Sequence, residues 1–325
     1  MFVAFLGTGG SVPTARRSTA SILVGRGGDR MLFDCGEGTQ RQLQRSLGLV
    51  HLDQIYLTHF HADHFLGLPG LLKTYDLGGR EKPLVIHGPR GLRELLESLD
   101  RVLGRSRFPI ELVELEPGDE LARDGYAVRT FPVEHRTRAL GYTLAEDERP
   151  GRFDAEEAQR LGVAEGPAWG ALQRGEEVAG SDGPVRPADV MGESRPGRTV
   201  VISGDTAPCL ATAEASRGAQ LLVHDASFAE EESQRAAETG HSTARQAAAL
   251  AREAGVDLLA LVHISSRYHV KTVLEEARTE FEGAFAPRDF DLVEIPFPER
   301  GEPRVIENGA RERGSGEPTL AESGK

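Results

Sequence analysis

Apolar residues in this chain come in short runs closed by glycine, aspartate or histidine. Phe2–Leu6, Ile22–Val24 and Met31–Phe33 are separated by glycines, which predicts a meander of strands with tight turns. Gln54–Leu57, Leu84–Ile86, Tyr126–Val133, Leu140–Tyr142, Thr199–Gly204, Leu221–Val223 and Leu258–Val262 predict further strands. Between them, helical spacing predicts helices over Glu37–Leu47, Phe65–Leu77, Gly91–Leu103 and Ala244–Ala254. Strands alternating with helices place the chain in the α/β class.

The pattern fails twice. Over residues 146–198 apolar periodicity fades while Pro and Gly recur, and the single tryptophan, Trp169, lies there. An insertion of that length in a compact domain is either functional or a flexible surface loop. From Glu299 on, E-R-G-E-P and G-S-G-E-P predict a disordered tail over residues 301–325. The catalytic domain is expected over residues 1–300, with 146–198 inserted in it.

Composition narrows the reading. The 325 residues can bury a substantial core, and 39% hydrophobic with 27% charged residues is the soluble globular range. No apolar run is long enough to span a bilayer, and Phe2–Leu6 is too short for a signal segment, so a cytoplasmic protein is expected. Cys35 and Cys209 support no disulfide framework and read as small buried residues. A net charge of −13 is awkward for a nucleic-acid enzyme and predicts weak non-specific RNA binding.

Candidate chemistry concentrates in Thr58–Gly67, T-H-F-H-A-D-H-F-L-G, where His59, His61, Asp63 and His64 fall within six residues. Imidazole nitrogens and carboxylate oxygens suit a borderline cation such as Zn²⁺. A loop leaving a strand can aim His59 and His61 at one ion and Asp63 and His64 at a second. Other candidates sit singly at strand ends: Asp34, His135, Asp205, Asp225 and His263. Asp34 suits a turn or cap, Asp205 a helix cap, and Ser242 or Thr243 a cap for the helix from Ala244. His51, His87 and His269 read as structural histidines, and the Gly7–Gly10 turn lacks the helix and lysine of a phosphate loop.

The H-x-H-x-D-H pattern resembles the signature of the metallo-β-lactamase superfamily. Within it, the H-S-T-A segment at His241, the I-S-S-R-Y segment after His263 and the G-P-A-W-G-A-L-Q-R-G-E stretch at Gly166 resemble the ribonuclease Z family. The resemblance runs from about Phe2 to Val270. It implies a four-layer αββα sandwich with an inserted arm, and two zinc ions per subunit. His59, His61 and His135 would hold one, Asp63, His64 and His263 the other, and Asp205 would bridge them. Asp34 would orient the ligand loop.

The resemblance also implies an activity: hydrolytic removal of the 3′ trailer from precursor tRNA, leaving a 3′-hydroxyl on the tRNA and a 5′-phosphate on the trailer. Asp63 would accept the proton of the attacking water, and His241 would protonate the leaving oxygen. Asp225 would orient His241, although the family usually has glutamate there. Arg267 is a candidate phosphate anchor, with a structural ion pair as its alternative. Gly166, Pro167 and Arg174 would belong to the tRNA-gripping arm, with Arg152 and Arg160 able to line one face. That segment holds seven arginines against twelve acidic residues, whereas the family's arms tend to be basic. A homodimer and no organic cofactor are implied. The alternative is a phosphodiesterase or sulfatase of the same fold acting on a small substrate.

Overall fold

The computed structural model describes residues 1–99 and 104–314. Met1–Ala145 and the chain from Arg198 onward form one compact unit, and Glu146–Gly197 form a second.

The first unit is built on two sheets. Strands β1 (Phe2–Gly7), β2 (Ser21–Arg26), β3 (Asp29–Phe33), β4 (Gln54–Tyr56), β5 (Leu84–Pro89) and β6 (Ile110–Leu115) belong to one. Strands β7 (Glu120–Arg123), β8 (Tyr126–Pro132) and β9 (Leu140–Glu146) belong to the other. After the second unit, which carries β10 (Val178–Ala179) and β11 (Pro184–Val185), the second sheet resumes. It gains β12 (Thr199–Ile202), β13 (Leu221–Asp225), β14 (Leu258–Val262) and β15 (Ala284–Phe285). The chain returns to the first sheet as β16 (Leu292–Glu294) and β17 (Arg304–Ile306). The orders are 17-16-1-2-3-4-5-6 and 15-14-13-12-9-8-7.

The alternation of side chains along each strand makes the layers. In β1, Phe2, Ala4 and Leu6 enter a core with the helices, while Val3 and Phe5 enter the core between the sheets. Likewise Leu32 of β3 faces helices, and Met31 and Phe33 face the second sheet. On that sheet Val200, Ile202, Leu221 and Val223 point inward, and Val201 and Leu222 point to its own helices. The result is helices, sheet, sheet, helices. Each such buried aliphatic side chain contributes about 1.5–3 kcal/mol.

The helices of the first sheet are α1 (Thr39–Gln44), α2 (Ala62–Phe65), α3 (Gly67–Leu77) and α4 (Leu92–Ser98). The expected helix over Glu37–Leu47 is shorter because Gly38, at φ 85°, starts it. The expected Phe65–Leu77 helix has a separate first turn, α2, which carries Asp63 and His64. The expected helix over Gly91–Leu103 is seen over Leu92–Ser98, and its last residues, 100–103, lie outside the described residues.

Glu146–Gly197 is no structureless loop. It holds α5 (Ala155–Arg160), α6 (Pro167–Gln173), α7 (Pro187–Val190) and the β10–β11 pair around a small core of Ala158, Val163, Leu172, Val185 and Val190. Trp169 packs on that core and donates its indole N–H to Val163 O at 3.0 Å. The chain enters and leaves through paired backbone, with Arg149 and Arg195 exchanging N–H···O bonds of 2.8 Å. Arg198, expected inside the insertion, belongs to the first unit and donates to Ile295 O.

The second sheet carries α8 (Leu210–Ala215), α9 (Ser233–Thr239), α10 (Ala244–Ala254) and α11 (Val270–Arg278). The apolar face of α10 is mostly alanine (Ala244, Ala247, Ala248, Ala251, Ala254), which lets it lie close to the sheet. Thr243 caps it, with Gln246 bonding back to Thr243 N in a capping box. The expectation of a disordered tail from 301 fails over its first part. β17 pairs with β16, and α12 (Gly309–Gly314) buries Ala310. Residues 315–325 lie outside the described residues. No described helix is long and apolar enough to cross a membrane.

Candidate metal centre

Chemistry-bearing residues gather where strands end at their carboxyl termini, as is general for α/β sheets. β3 leads into Asp34, β4 into Thr58 and the histidine loop, and β8 into His135. β12 leads into Asp205, β13 ends at Asp225, and β14 leads into His263. Three of the non-glycine residues at positive φ are here: Ser11 (64°), Asp34 (57°) and His263 (60°). Strained backbone of this kind persists where surrounding contacts over-determine it.

Three overlapping groups of ligand-type atoms result; the third, Asp205, Asp225, His241 and His263, shares one member with each of the other two. His59, His61, His135 and Asp205 bring one atom each within 4.8 Å of one another, and so do Asp63, His64 and His263. His59 Nε2 lies 3.0 Å from His61 Nδ1, His135 Nε2 3.3 Å from His61 Nδ1, and His59 Nε2 3.7 Å from Asp205 Oδ2. In the second group His263 Nε2 is 3.0 Å from Asp63 Oδ2, and His64 Nε2 is 3.7 Å from it. Asp205 reaches both groups, with Oδ1 3.3 Å from His64 Nε2 and Oδ2 3.3 Å from His263 Nε2.

These separations fit a metal. Donors about 2.0–2.1 Å from a tetrahedral ion lie roughly 3.3 Å apart. His64 Nε2 is buried and makes no hydrogen bond in the polypeptide, despite the nearby Asp205 oxygen. Neutral-imidazole nitrogens and two ionised carboxylates are donors suited to divalent cations.

The far side of four of the five imidazoles is held in turn. His64 Nδ1 bonds Asp34 Oδ2 at 2.7 Å, and Asp34 also accepts from the N–H and hydroxyl of Thr58. His135 Nδ1 bonds Gly240 O at 2.8 Å, His263 Nδ1 bonds Ser227 Oγ at 2.7 Å, and His59 Nδ1 lies 3.0 Å from Thr58 Oγ1. Such outer partners fix the tautomer and aim the free nitrogen. The Gly7–Gly10 turn serves close approach. A Cβ on Gly10 would sit 2.5 Å from His263 O, and the next N–H, of Ser11, donates to Asp63 Oδ2 at 2.7 Å.

Electrostatics follow from burial. Desolvation holds His59 and His61 below the usual imidazole range, which favours the neutral form that binds metal. Burial would raise Asp63 and Asp205, but hydrogen bonds and charge from the surrounding histidines hold both carboxyls below their ordinary range. Burial would lower His64 and His263, yet Asp205, with Asp34 or Asp63, outweighs it and raises both.

Beside the first two groups lies a pair. His241 Nδ1 is 2.7 Å from Asp225 Oδ2, and its ring stacks on His263 at a centroid distance of 5.2 Å. Asp225 is fully buried and also accepts from Thr206 N, Ser227 N and Ser227 Oγ. Aspartate therefore reaches the histidine despite being shorter than the family's glutamate. Burial works against a proton on His241, and Asp225 more than compensates, so its affinity is raised.

Other candidates stay apart. Arg267 Nη1 is 3.1 Å from Glu232 Oε2, so its charge is already matched by a carboxylate. In the second unit Gly166 and Pro167 start α6, and Arg174 pairs with Glu176 at 2.8 Å. Arg160 pairs with Glu157 in the same unit. His87 stacks on Tyr56 and is pushed down to about 4 by burial, a structural histidine. Cys35 is buried, whereas Cys209 is only partly so. Sequence reasoning missed Ser227, Ser11, Thr206 and Gly240. Ser227 alone carried a signal, two residues after Asp225.

Comparison with known proteins gives the family. Residues 14–263 match the metallo-beta-lactamase superfamily. The chain is 50% identical over 300 residues to the ribonuclease Z of Methanosarcina acetivorans, covering 91% of this chain and 98% of that one. It is 50% identical over 306 residues to the ribonuclease Z of Haloferax volcanii, covering 91% and 96%. The structure superposes on the short form of human tRNase Z with a TM-score of 0.67 at 26% identity, over 91% of this chain and 100% of the other. The chain thus belongs to the ribonuclease Z family, hydrolytic endoribonucleases built on the metallo-β-lactamase fold.

Proposed function

We propose that this chain is a zinc-dependent endoribonuclease that removes the 3′ trailer of precursor tRNA, leaving a 3′-hydroxyl on the tRNA and a 5′-phosphate on the trailer. The observation that carries the reading is Asp205 shared between two ligand groups, with the paired His241 and Asp225 alongside. His59, His61 and His135 would hold one zinc and Asp63, His64 and His263 the other. When bound, two such ions supply an activated water and Lewis acidity for in-line displacement at phosphorus.

The chain's own residues do the rest. Asp63, positioned by Ser11 N–H, is the proton acceptor on the attacking side. His241, 15% exposed at the side chain, carries a proton toward the departing 3′-oxygen. Asp225 fixes its tautomer through Nδ1, leaving Nε2 to face the substrate. We place the protein in the cytoplasm as a homodimer.

Elemental analysis of the purified chain is expected to find two zinc ions per polypeptide. One ion or none in a folded, active preparation would refute the binuclear assignment.

We assign residues 146–197 as the arm that grips tRNA. Gly151 and Gly192 lie in backbone contact, so residues 152–191 can be excised and the ends joined there. The excised variant is expected to lose far more on precursor tRNA than on bis-p-nitrophenyl phosphate. Equal losses on both would place the segment in the catalytic fold. The same pair of substrates separates this reading from a small-molecule phosphodiesterase or sulfatase, which would turn over the small ester and leave precursor tRNA intact.

A further inference from the structure

A chain with a net charge of −13 needs a local surface where a polyanion is attracted rather than repelled. Three of the arginines first considered for that task are already matched: Arg267 with Glu232, Arg160 with Glu157 and Arg174 with Glu176. A different set is not. Arg136 and Arg138 follow His135 on the way to β9, and Arg90 follows β5; all three side chains are exposed. Among the described residues none of the three pairs with a carboxylate. Arg136 spends Nε and Nη2 on the main-chain oxygen of Glu238, the former at 2.7 Å. Arg138 Nη1 bonds Arg90 O at 3.3 Å.

The kind of partner matters. A guanidinium held by a carbonyl is oriented with its positive charge uncompensated, whereas one held by a carboxylate is offset by the partner's negative charge. Glu114, whose carboxylate caps the backbone N–H groups of Gly91 and Arg93, offsets part of the charge of Arg93 and, less strongly, of Arg90, so Arg93 is left out and Arg90 is the weaker member of the set.

Position gives the strip a direction. Leu140 N bonds Thr58 O, so the segment carrying Arg136 and Arg138 runs from His135 to the root of the histidine loop. Phe60, between His59 and His61, packs toward Gly88 and Gly91, on either side of Arg90. At the other end, Arg136 and His135 bond the carbonyls of Glu238 and Gly240, immediately before His241. The strip therefore flanks the group that serves the leaving oxygen. In the proposed reaction the leaving oxygen is the 3′-oxygen of the tRNA, so the tRNA lies on that side and the trailer on the other.

We propose that Arg90, Arg136 and Arg138 form a phosphate-binding strip for the sugar-phosphate backbone at the 3′ end of the tRNA, on the leaving-group side of the scissile bond. This rests on the function proposed above and adds which surface holds which part of the RNA. Phosphate contacts of this kind position the substrate without reading its sequence.

The test measures affinity against potassium chloride concentration for two probes, mature tRNA without a trailer and a trailer-sequence oligonucleotide. The double variant Arg90→Gln/Arg138→Gln is expected to weaken mature tRNA binding on the order of tenfold or more, and to lower the slope of log affinity against log salt by about 2. Arg136→Gln is expected to lower it by about 1 more. Binding of the trailer oligonucleotide is expected to hold. Arg90→Lys/Arg138→Lys restores charge without the Arg138 hydrogen bond, so a retained slope assigns the effect to charge rather than to loop structure. An unchanged slope for mature tRNA in the glutamine variants, a slope lost equally in the lysine variants, or a loss confined to the trailer probe overturns the strip. Wild-type protein that binds tRNA no better than an unrelated RNA of equal length overturns the function and the strip together. Wild-type binding with insensitive variants overturns the strip alone.

Discussion

His241→Ala is expected to keep both metals, bind precursor tRNA almost normally, and lose on the order of 10²–10⁴-fold in turnover, the usual range for a positioned proton donor. His241 shares a ligand-type group with Asp205, Asp225 and His263 but with no residue of the histidine loop, and its Nδ1, 4.0 Å from Asp205 Oδ2, is committed to Asp225 at 2.7 Å. Its contribution falls on an oxygen whose charge develops only in the transition state, so it appears in turnover rather than in binding. Asp225→Asn keeps a group able to hold the ring but stabilises its cation less, and should give part of the same defect. A substrate with sulfur in place of the 3′-bridging oxygen has a leaving group that departs readily without a proton. It should largely rescue His241→Ala. No rescue with metal content intact would give the histidine another task.

Asp205→Ala is expected to have the larger effect, because one side chain reaches both groups. Its oxygens lie 3.3 Å from His64 and His263 and 3.7 Å from His59, and the carboxylate is almost fully buried. Without it, His59 loses its carboxylate and only Asp63 is left to serve Nε2 of His64 and of His263. Bound metal should fall to one ion or none, and cleavage of precursor tRNA should fall further than in His241→Ala. Circular dichroism separates this from unfolding, since the cores on either side of the sheets do not include Asp205. A variant that keeps two metals with native spectra would show that Asp205 is not the shared carboxylate.

Much of the frame was legible because it rests on short-range patterns. Four ligand-type residues in the six positions from His59 to His64 point to metal over a polar loop whose histidines merely hydrogen-bond their neighbours, and the apolar runs of β1, β3, β12 and β13 announce buried strands. His135, Asp205, Asp225 and His263 were legible as strand-end residues, but only the resemblance grouped them, since contacts such as His263 to Asp63 span 200 positions. Main-chain contributions were not legible. The N–H of Ser11 and the carbonyl of Gly240 act regardless of side-chain identity. The core of residues 146–197 was hidden because Ala158, Val163, Leu172, Val185 and Val190 follow neither period over any useful length. β17 was hidden for another reason: Arg304–Ile306 becomes a strand only by pairing with β16, a tertiary preference that local composition does not carry.

Arg267 shows the ion pair that was its alternative reading, with Glu232, a partner 35 positions away that sequence could not supply. The same consideration brings Arg90, Arg136 and Arg138 forward. Their sequence neighbourhood is unremarkable, and only the structure shows that Arg136 and Arg138 are held by carbonyls, Arg138 by that of Arg90.

The most direct test incubates the zinc-loaded chain with a defined precursor tRNA and maps both new ends. A single cut is expected that separates the trailer from the tRNA body, with a 3′-hydroxyl on the tRNA and a 5′-phosphate on the trailer, abolished by chelation. An intact precursor beside rapid hydrolysis of a small phosphodiester, or a cut that leaves phosphate on the tRNA 3′ end, would contradict the proposed function.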